Sequence, residues 1–193
     1  MKIKDRAKAK IPPLEPGTYM ARCVGVCDIG TQIDDKYKKI TPKVVFVWEI
    51  CGESITIDGK DEPRVLSRTF TISSSKKSSL RAFLGAWSGK QFTDDEAANV
   101  ELFDYLDKPC QLSVATSDNG EYANVQAIMG LPRGVKAPDA TVPLVAWDME
   151  QWTDDGFAAL PEWVQARIKK SAEYQQQHAS TDELGIDDGG CPI

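Results

Sequence analysis

The stretch Lys36-Tyr37-Lys38-Lys39 sets one aromatic ring among three ammonium groups, directly after Asp34 and Asp35. Ammonium groups along a groove neutralise phosphates, and an aromatic face offers a nucleobase a surface to stack on. An aromatic side chain in so polar a segment has little core to join, which makes Tyr37 the first candidate for contact with a polyanion that carries bases. A second set lies further along: Arg64, Arg68, Lys76, Lys77 and Arg81, with Trp48 and Phe70 in neighbouring runs and Tyr122 just beyond an Asn-Gly pair. Each of these has a plainer reading. Trp48 and Phe70 sit in apolar runs that suit a core, and Lys76, Lys77 and Arg81 suit the wet face of a helix.

Other chemistries lack material. His178 is the one histidine in 193 residues, so His-dependent nucleophilic catalysis and His-rich metal sites have nothing to use. No phosphate-cradling, dinucleotide-binding or nucleophile-elbow glycine motif occurs. The carboxylate groups at 34–35, 94–96, 154–155 and 187–188 read as loop solvation, helix N-terminal charge and tail. Five cysteines with no C-x-x-C pair read as reduced thiols. Cys23 and Cys27, four apart in a strand and on one face, would stand about 13 Å apart, too far to share a metal. The expectation is a protein that is not an enzyme, with no cofactor and no metal; the residual enzymatic reading is a metal-dependent nuclease.

The net charge of −6 is segregated along the chain. Residues 1–10 carry +4, 31–43 carry +2 and 60–90 carry +5, whereas 91–130 carry −7 and 171–193 carry −5. A polyanion responds to the local face rather than the total, so an acidic protein can still bind one. No apolar run approaches the roughly 18 residues of a membrane span, and the basic start lacks the apolar stretch of a signal peptide. A cytoplasmic location without membrane contact is expected.

The elements that must position these residues follow from periodicity. Strands are expected over EPGTYMARCVGVCDIGTQ, KVVFVWEI and RVLSRTFTIS, the second apolar on both faces, the third with Leu66, Arg68, Phe70 and Ile72 on one face and Val65, Ser67, Thr69 and Thr71 on the other. Leu80, Phe83, Leu84 and Trp87 recur at helical spacing up to Gly89, and Thr93 with Glu96 has capping-box spacing. CQLSVAT and YANVQAIM, joined by SDNGEY, complete a hairpin. Five strands with a helix between the third and fourth is the order of an OB-fold. The expected fold is mainly β with inserted helices: a basic N-terminal arm (1–13), an OB-fold-like five-stranded barrel (14–131), an extended proline-bearing connection (132–159), a C-terminal helix (160–177) with Leu160, Trp163, Val164 and Ile168 on one stripe, and a disordered acidic tail (178–193). That stripe needs cover, from its own sheet or from a second copy in a homodimer.

The blocks PGTYMARCVGVCDIGTQ, VVFVWEI, RVLSRTFTIS, KSSLRAFLGAW and YANVQAIMGLPRG, over roughly residues 12–134, resemble phage-encoded single-stranded DNA-binding proteins of OB-fold type. The end, Asp187-Asp188-Gly189-Gly190-Cys191-Pro192-Ile193, is similar to the acidic tip of bacterial single-stranded DNA-binding proteins, which closes with Ile-Pro-Phe and docks on replication and repair proteins. Here Ile193 replaces the phenylalanine and Cys191 the isoleucine, so a phage-encoded partner suits the tip as well as a host one. The resemblance implies a single-stranded DNA-binding protein supporting phage DNA replication or recombination in the cytoplasm of an infected bacterium, with Asp187, Asp188, Pro192 and Ile193 recruiting replication or recombination proteins. The alternative is an OB-fold protein-interaction module, a recombination accessory factor or an inhibitor of a host enzyme, without significant DNA binding. Ending the chain at Gln177 is expected to leave affinity for oligo-dT equal or higher and to abolish partner capture; a titration that shows weaker DNA binding would make the tail part of the fold.

Overall fold

The structure, a computed structural model, describes residues 12–34, 39–57 and 59–182. Its β-branched and alternating runs form long strands. β1 (Gly17–Asp34), β2 (Lys39–Ile57) and β3 (Lys60–Thr71) make an antiparallel meander, and β4 (Pro109–Thr116) and β5 (Ala123–Met129) a further hairpin. The sheet order is β3-β2-β1-β4-β5, with a short β6 (Val145–Trp147) pairing parallel with β1. A mainly β protein with a few helices is what the periodicity predicts. β2 and β3 run further than the apolar runs suggest, because they continue outward as a hairpin around Gly59, whose φ of +80° suits glycine. The Asn119-Gly120 pair sits in a turn closed by the Ser117 N–H donating to the Tyr122 carbonyl.

β1 is the central strand. β2 lines one of its edges; β4 takes the other from Gly17 to Arg22, and β6 takes it from Gly25 to Cys27. An irregularity between Cys23 and Gly25 inserts Val24 as an extra residue, which turns the side-chain alternation over. Ala21, Cys23 and Val26 therefore enter one core, and Cys27 and Ile29 enter the layer on the other side. Cys23 and Cys27, expected on one face, lie in opposite layers for this reason.

The main core is aromatic. Phe46, Trp48 and Phe70 from the sheet meet Phe83 and Trp87 of α1 (Ser79–Ser88), with ring centroids 4.7 Å apart for Phe70 and Phe83 and 6.1 Å for Trp48 and Trp87. The predicted stripe is the buried face of α1. Its start is capped by Ser78, whose hydroxyl accepts from the Arg81 N–H, and its end by Gly89 at φ +66°. Thr93 and Glu96 form the reciprocal capping box at the start of α2 (Asp94–Ala98).

Beyond Met129 the chain differs from the expected connection and single helix. The segment 132–159 contains β6 and α3 (Asp154–Ala159), and 160–177 divides into α4 (Glu162–Ile168) and the start of α5 (Ala172–Asp182), so residues 178–182, expected in a disordered tail, are helical. β6 is too short for alternation to mark it, and it forms where the edge of β1 lies beyond the reach of β4. The division of the helix falls at Ser171, fully buried, whose hydroxyl accepts from the Tyr174 N–H. Leu160, Val164 and Ile168 pack on Cys27, Ile29 and Val45, so three of the four stripe residues are covered within the chain and Trp163 is not.

This C-terminal segment is held by carboxylates. Glu49, 7 % exposed, accepts from the amide N–H groups of Thr141 and Val142 at 2.8 and 3.0 Å and from the Thr141 hydroxyl at 2.7 Å. Glu173 accepts from the amide and hydroxyl of Thr31 in the same manner. Burial pushes the Glu49 carboxyl up, but the bonds from Val142 and Thr141 and the charge of Arg22 outweigh it and hold the group below its ordinary value of 4.5. A depressed folded value means stability that is complete above the unfolded value and lost as pH falls through the folded one. Glu49→Gln is expected to lower stability at neutral pH by about 1–2 kcal/mol and to flatten the fall of the urea midpoint between about pH 5 and 3. An acid limb identical to that of the wild type would show that Glu49 contributes no such linkage.

Candidate nucleic-acid interface

The structure sorts the expected contact residues into four groups. Lys36, Tyr37, Lys38 and the tail residues Asp187, Asp188, Pro192 and Ile193 lie outside the described residues. Trp48 and Phe70 are buried in the main core, at 0 % and 2 % exposure, so neither ring offers a face for stacking. This corrects their assignment as base contacts; large apolar rings at the inward-facing positions of a strand go to the core first.

The arginines are a second correction. Arg68 faces inward over the Phe70 and Phe83 rings, and its Nη1 donates to the carbonyls of Val125 and Gln126 at 3.0 and 2.9 Å. It thereby bridges β3 to β5, and burial draws its pKa down. Arg81 donates to the carbonyls of Ser74 and Phe92 and pairs with Asp94 at 2.8 Å, tying α1 to the turn before α2. Arg64 donates to the Pro12 carbonyl at 2.6 Å. A guanidinium is a rigid fork of five donors, suited to carbonyls that no ladder satisfies. Sequence position cannot distinguish that use from phosphate binding.

The lysines and one tyrosine remain outside. Lys39 and Lys77 are exposed, Lys76 pairs with Asp94 at 3.3 Å on the surface, and Tyr122 is 65 % exposed beside the β4–β5 turn. Lys39 stands on the outer face of β2, which alternates Lys39, Thr41, Lys43, Val45, Val47 and Glu49. The C-terminal segment covers Val45 and Val47 and occupies the Glu49 carboxylate. What it leaves open is a strip of two cations and a row of hydroxyls, because the outer face of β3 carries Val65, Ser67, Thr69 and Thr71. Lys43 Nζ donates to Thr71 Oγ1 at 2.8 Å, and Arg167 Nη1 from α4 donates to Thr69 Oγ1 at 2.7 Å.

Lys43 and Arg167 were not singled out by sequence reasoning. The alternation of RVLSRTFTIS already places the hydroxyls together, but no local signal brings Arg167 to Thr69 across 98 positions. Among the described residues, no group of three His, Cys, Asp or Glu side chains could hold a metal ion, and no helix is long and apolar enough to cross a membrane. Comparison with family models, with curated proteins and with solved structures found no match.

Arg68→Ala and Arg81→Ala are each expected to cost about 1–3 kcal/mol of stability, since each leaves carbonyls without their donor. Lys77→Ala is expected to stay within about 0.5 kcal/mol. Urea unfolding separates them: an Arg68→Ala protein as stable as wild type would remove the bridging role.

Proposed function

We propose that the chain is a non-enzymatic single-stranded DNA-binding protein of OB-fold type, supporting phage DNA replication or recombination in an infected bacterial cytoplasm. The observation that carries this reading is the connectivity. The order β3-β2-β1-β4-β5, with α1 between β3 and β4 and with β3 and β5 drawn together at Arg68, supports a five-stranded barrel closed between its third and fifth strands. In an OB-fold the face of strands 2 and 3 and the loops joining strands 1–2 and 4–5 take oligonucleotides. This reading assigns those positions to the strip of Lys39, Lys43, Ser67, Thr69 and Thr71, to Tyr37 between β1 and β2 in sequence, and to the turn beside Tyr122. In the proposed mechanism the lysines neutralise phosphates, the hydroxyls donate to phosphate oxygens, and the two tyrosines stack on bases. The tail residues Asp187, Asp188, Pro192 and Ile193 recruit a replication or recombination protein.

The cover that the C-terminal segment places over Val45 and Val47 favours one other reading, an interaction module in which the sheet face is closed and the tail acts alone. Fluorescence anisotropy with labelled oligo-dT and its duplex, across a salt series, separates the two. Single-strand preference with steep salt dependence is expected, and replacing Lys39 and Lys43 together by alanine should reduce the slope of log K against log salt by about 1.4, at about 0.7 per phosphate contact. Equal binding to both DNA forms would sink the single-strand-binding function, and absent binding would leave the interaction module.

A further inference from the structure

Trp163 belongs by spacing to the apolar stripe of α4, yet it departs from it. Leu160, Val164 and Ile168 are 6 %, 1 % and 0 % exposed, whereas Trp163 is 39 % exposed. Trp48, Trp87 and Trp147 are all buried. An indole left two-fifths open forfeits much of the apolar transfer energy it offers, and the structure nevertheless holds it in place.

Arg167, one helical turn further on, lies over the ring with its Cζ 5.2 Å from the centroid. The same guanidinium donates to Thr69 Oγ1 at 2.7 Å, and the Arg167 carbonyl accepts from Gln32 Nε2 of β1 at 3.1 Å. Ring and cation are thus fastened to the sheet from two directions, beside the exposed hydroxyls of Ser67 and Thr69. Lys169 and Lys170 follow at the end of α4, both exposed. A partly exposed aromatic, a cation positioned over it and an adjoining row of hydroxyl donors are the components that hold one nucleotide of a flexible strand: base on ring, phosphate on cation and hydroxyls.

We infer that Trp163 is a base-stacking residue for single-stranded nucleic acid, with Arg167 positioning the indole against the β3 strip, so that α4 forms one wall of the binding face. This rests on the single-strand-binding reading above, and adds a contact from outside the five-stranded body.

The test is equilibrium binding of the full chain to oligo-dT and to a base-free polyanion, inorganic polyphosphate, for wild type, Trp163→Phe and Trp163→Ala. Trp163→Ala is expected to bind oligo-dT about ten-fold more weakly, as loss of one stacked base requires, with polyphosphate binding unchanged. Trp163→Phe keeps a π-face and should stay within about three-fold of wild type, while losing the quenching of tryptophan emission that oligo-dT causes. Thermal unfolding identifies any variant that has lost its fold, and the phenylalanine variant keeps the idea refutable if the alanine variant has. Oligo-dT binding by Trp163→Ala equal to wild type, an equal loss for both ligands, or emission quenching that persists in Trp163→Phe would overturn the stacking role and leave single-strand binding standing. A wild-type protein that ignores oligo-dT would overturn both.

Discussion

The extra residue at Val24 sends Ala21, Cys23 and Val26 into the aromatic core while Cys27 and Ile29 face the opposite layer, and most of the architecture depends on that reversal. A strand covered on both faces needs apolar residues on both, and it needs partners along both edges. β1 meets the first demand through its bulge and the second by dividing one edge between β4 and β6. Without the second layer, Cys27, Ile29 and Val45 would be an apolar patch in water; with it, β6, α4 and α5 have a surface to fold on. The C-terminal segment is in this sense a consequence of β1.

The charged residues divide by chemistry. Arg22, Arg64, Arg68, Arg81 and Arg167 each donate to a carbonyl or hydroxyl of another segment, and so fasten the stretch at Pro138, the N-terminal residues, β5, the turn before α2 and α4. Glu49 and Glu173 do the complementary task, accepting from backbone N–H groups at 141–142 and at 31. Lys39 and Lys60 on the sheet and Lys76 and Lys77 in the turn before α1 stay in solvent. A guanidinium loses less on leaving water than an ammonium and satisfies several acceptors at once, which places arginine in joints and lysine on faces. The proposed binding strip follows from that division, since two of its cations are lysines and its one arginine donates to Thr69.

The same segment that completes the fold also shapes the sheet face. By covering Val45 and Val47 it shifts the open part of the face from β2 toward β3, and it leaves Trp163 partly exposed on α4, the wall of the proposed binding face. Lys39, Lys43 and the hydroxyls from Ser67 to Thr71 then form a narrow track rather than a broad plate. A narrow track flanked by an aromatic suits one strand better than a duplex, whose phosphates lie on two backbones.

Much of the body was legible from local pattern. Period-two alternation marks β1, β3, β4 and β5, helical spacing marks α1, Gly89 marks its end and the Thr93–Glu96 pair the start of α2, because each signal arises within a few residues. Alternation likewise assigned Ser67, Thr69 and Thr71 to one face. Three matters were decided only by tertiary structure. A single inserted residue at Val24 changes which faces Val26, Cys27 and Ile29 take, and nothing in a run of small apolar residues announces it. Whether an arginine binds a phosphate or a carbonyl depends on which acceptors the fold brings near, and Val125 lies 57 positions from Arg68. Trp163 has the spacing of a core residue and is exposed because the sheet beneath α4 is filled by Val164 and Ile168. Residue types and their periods determined the elements and the kind of chemistry available; the three-dimensional arrangement decided which groups were left free to perform it.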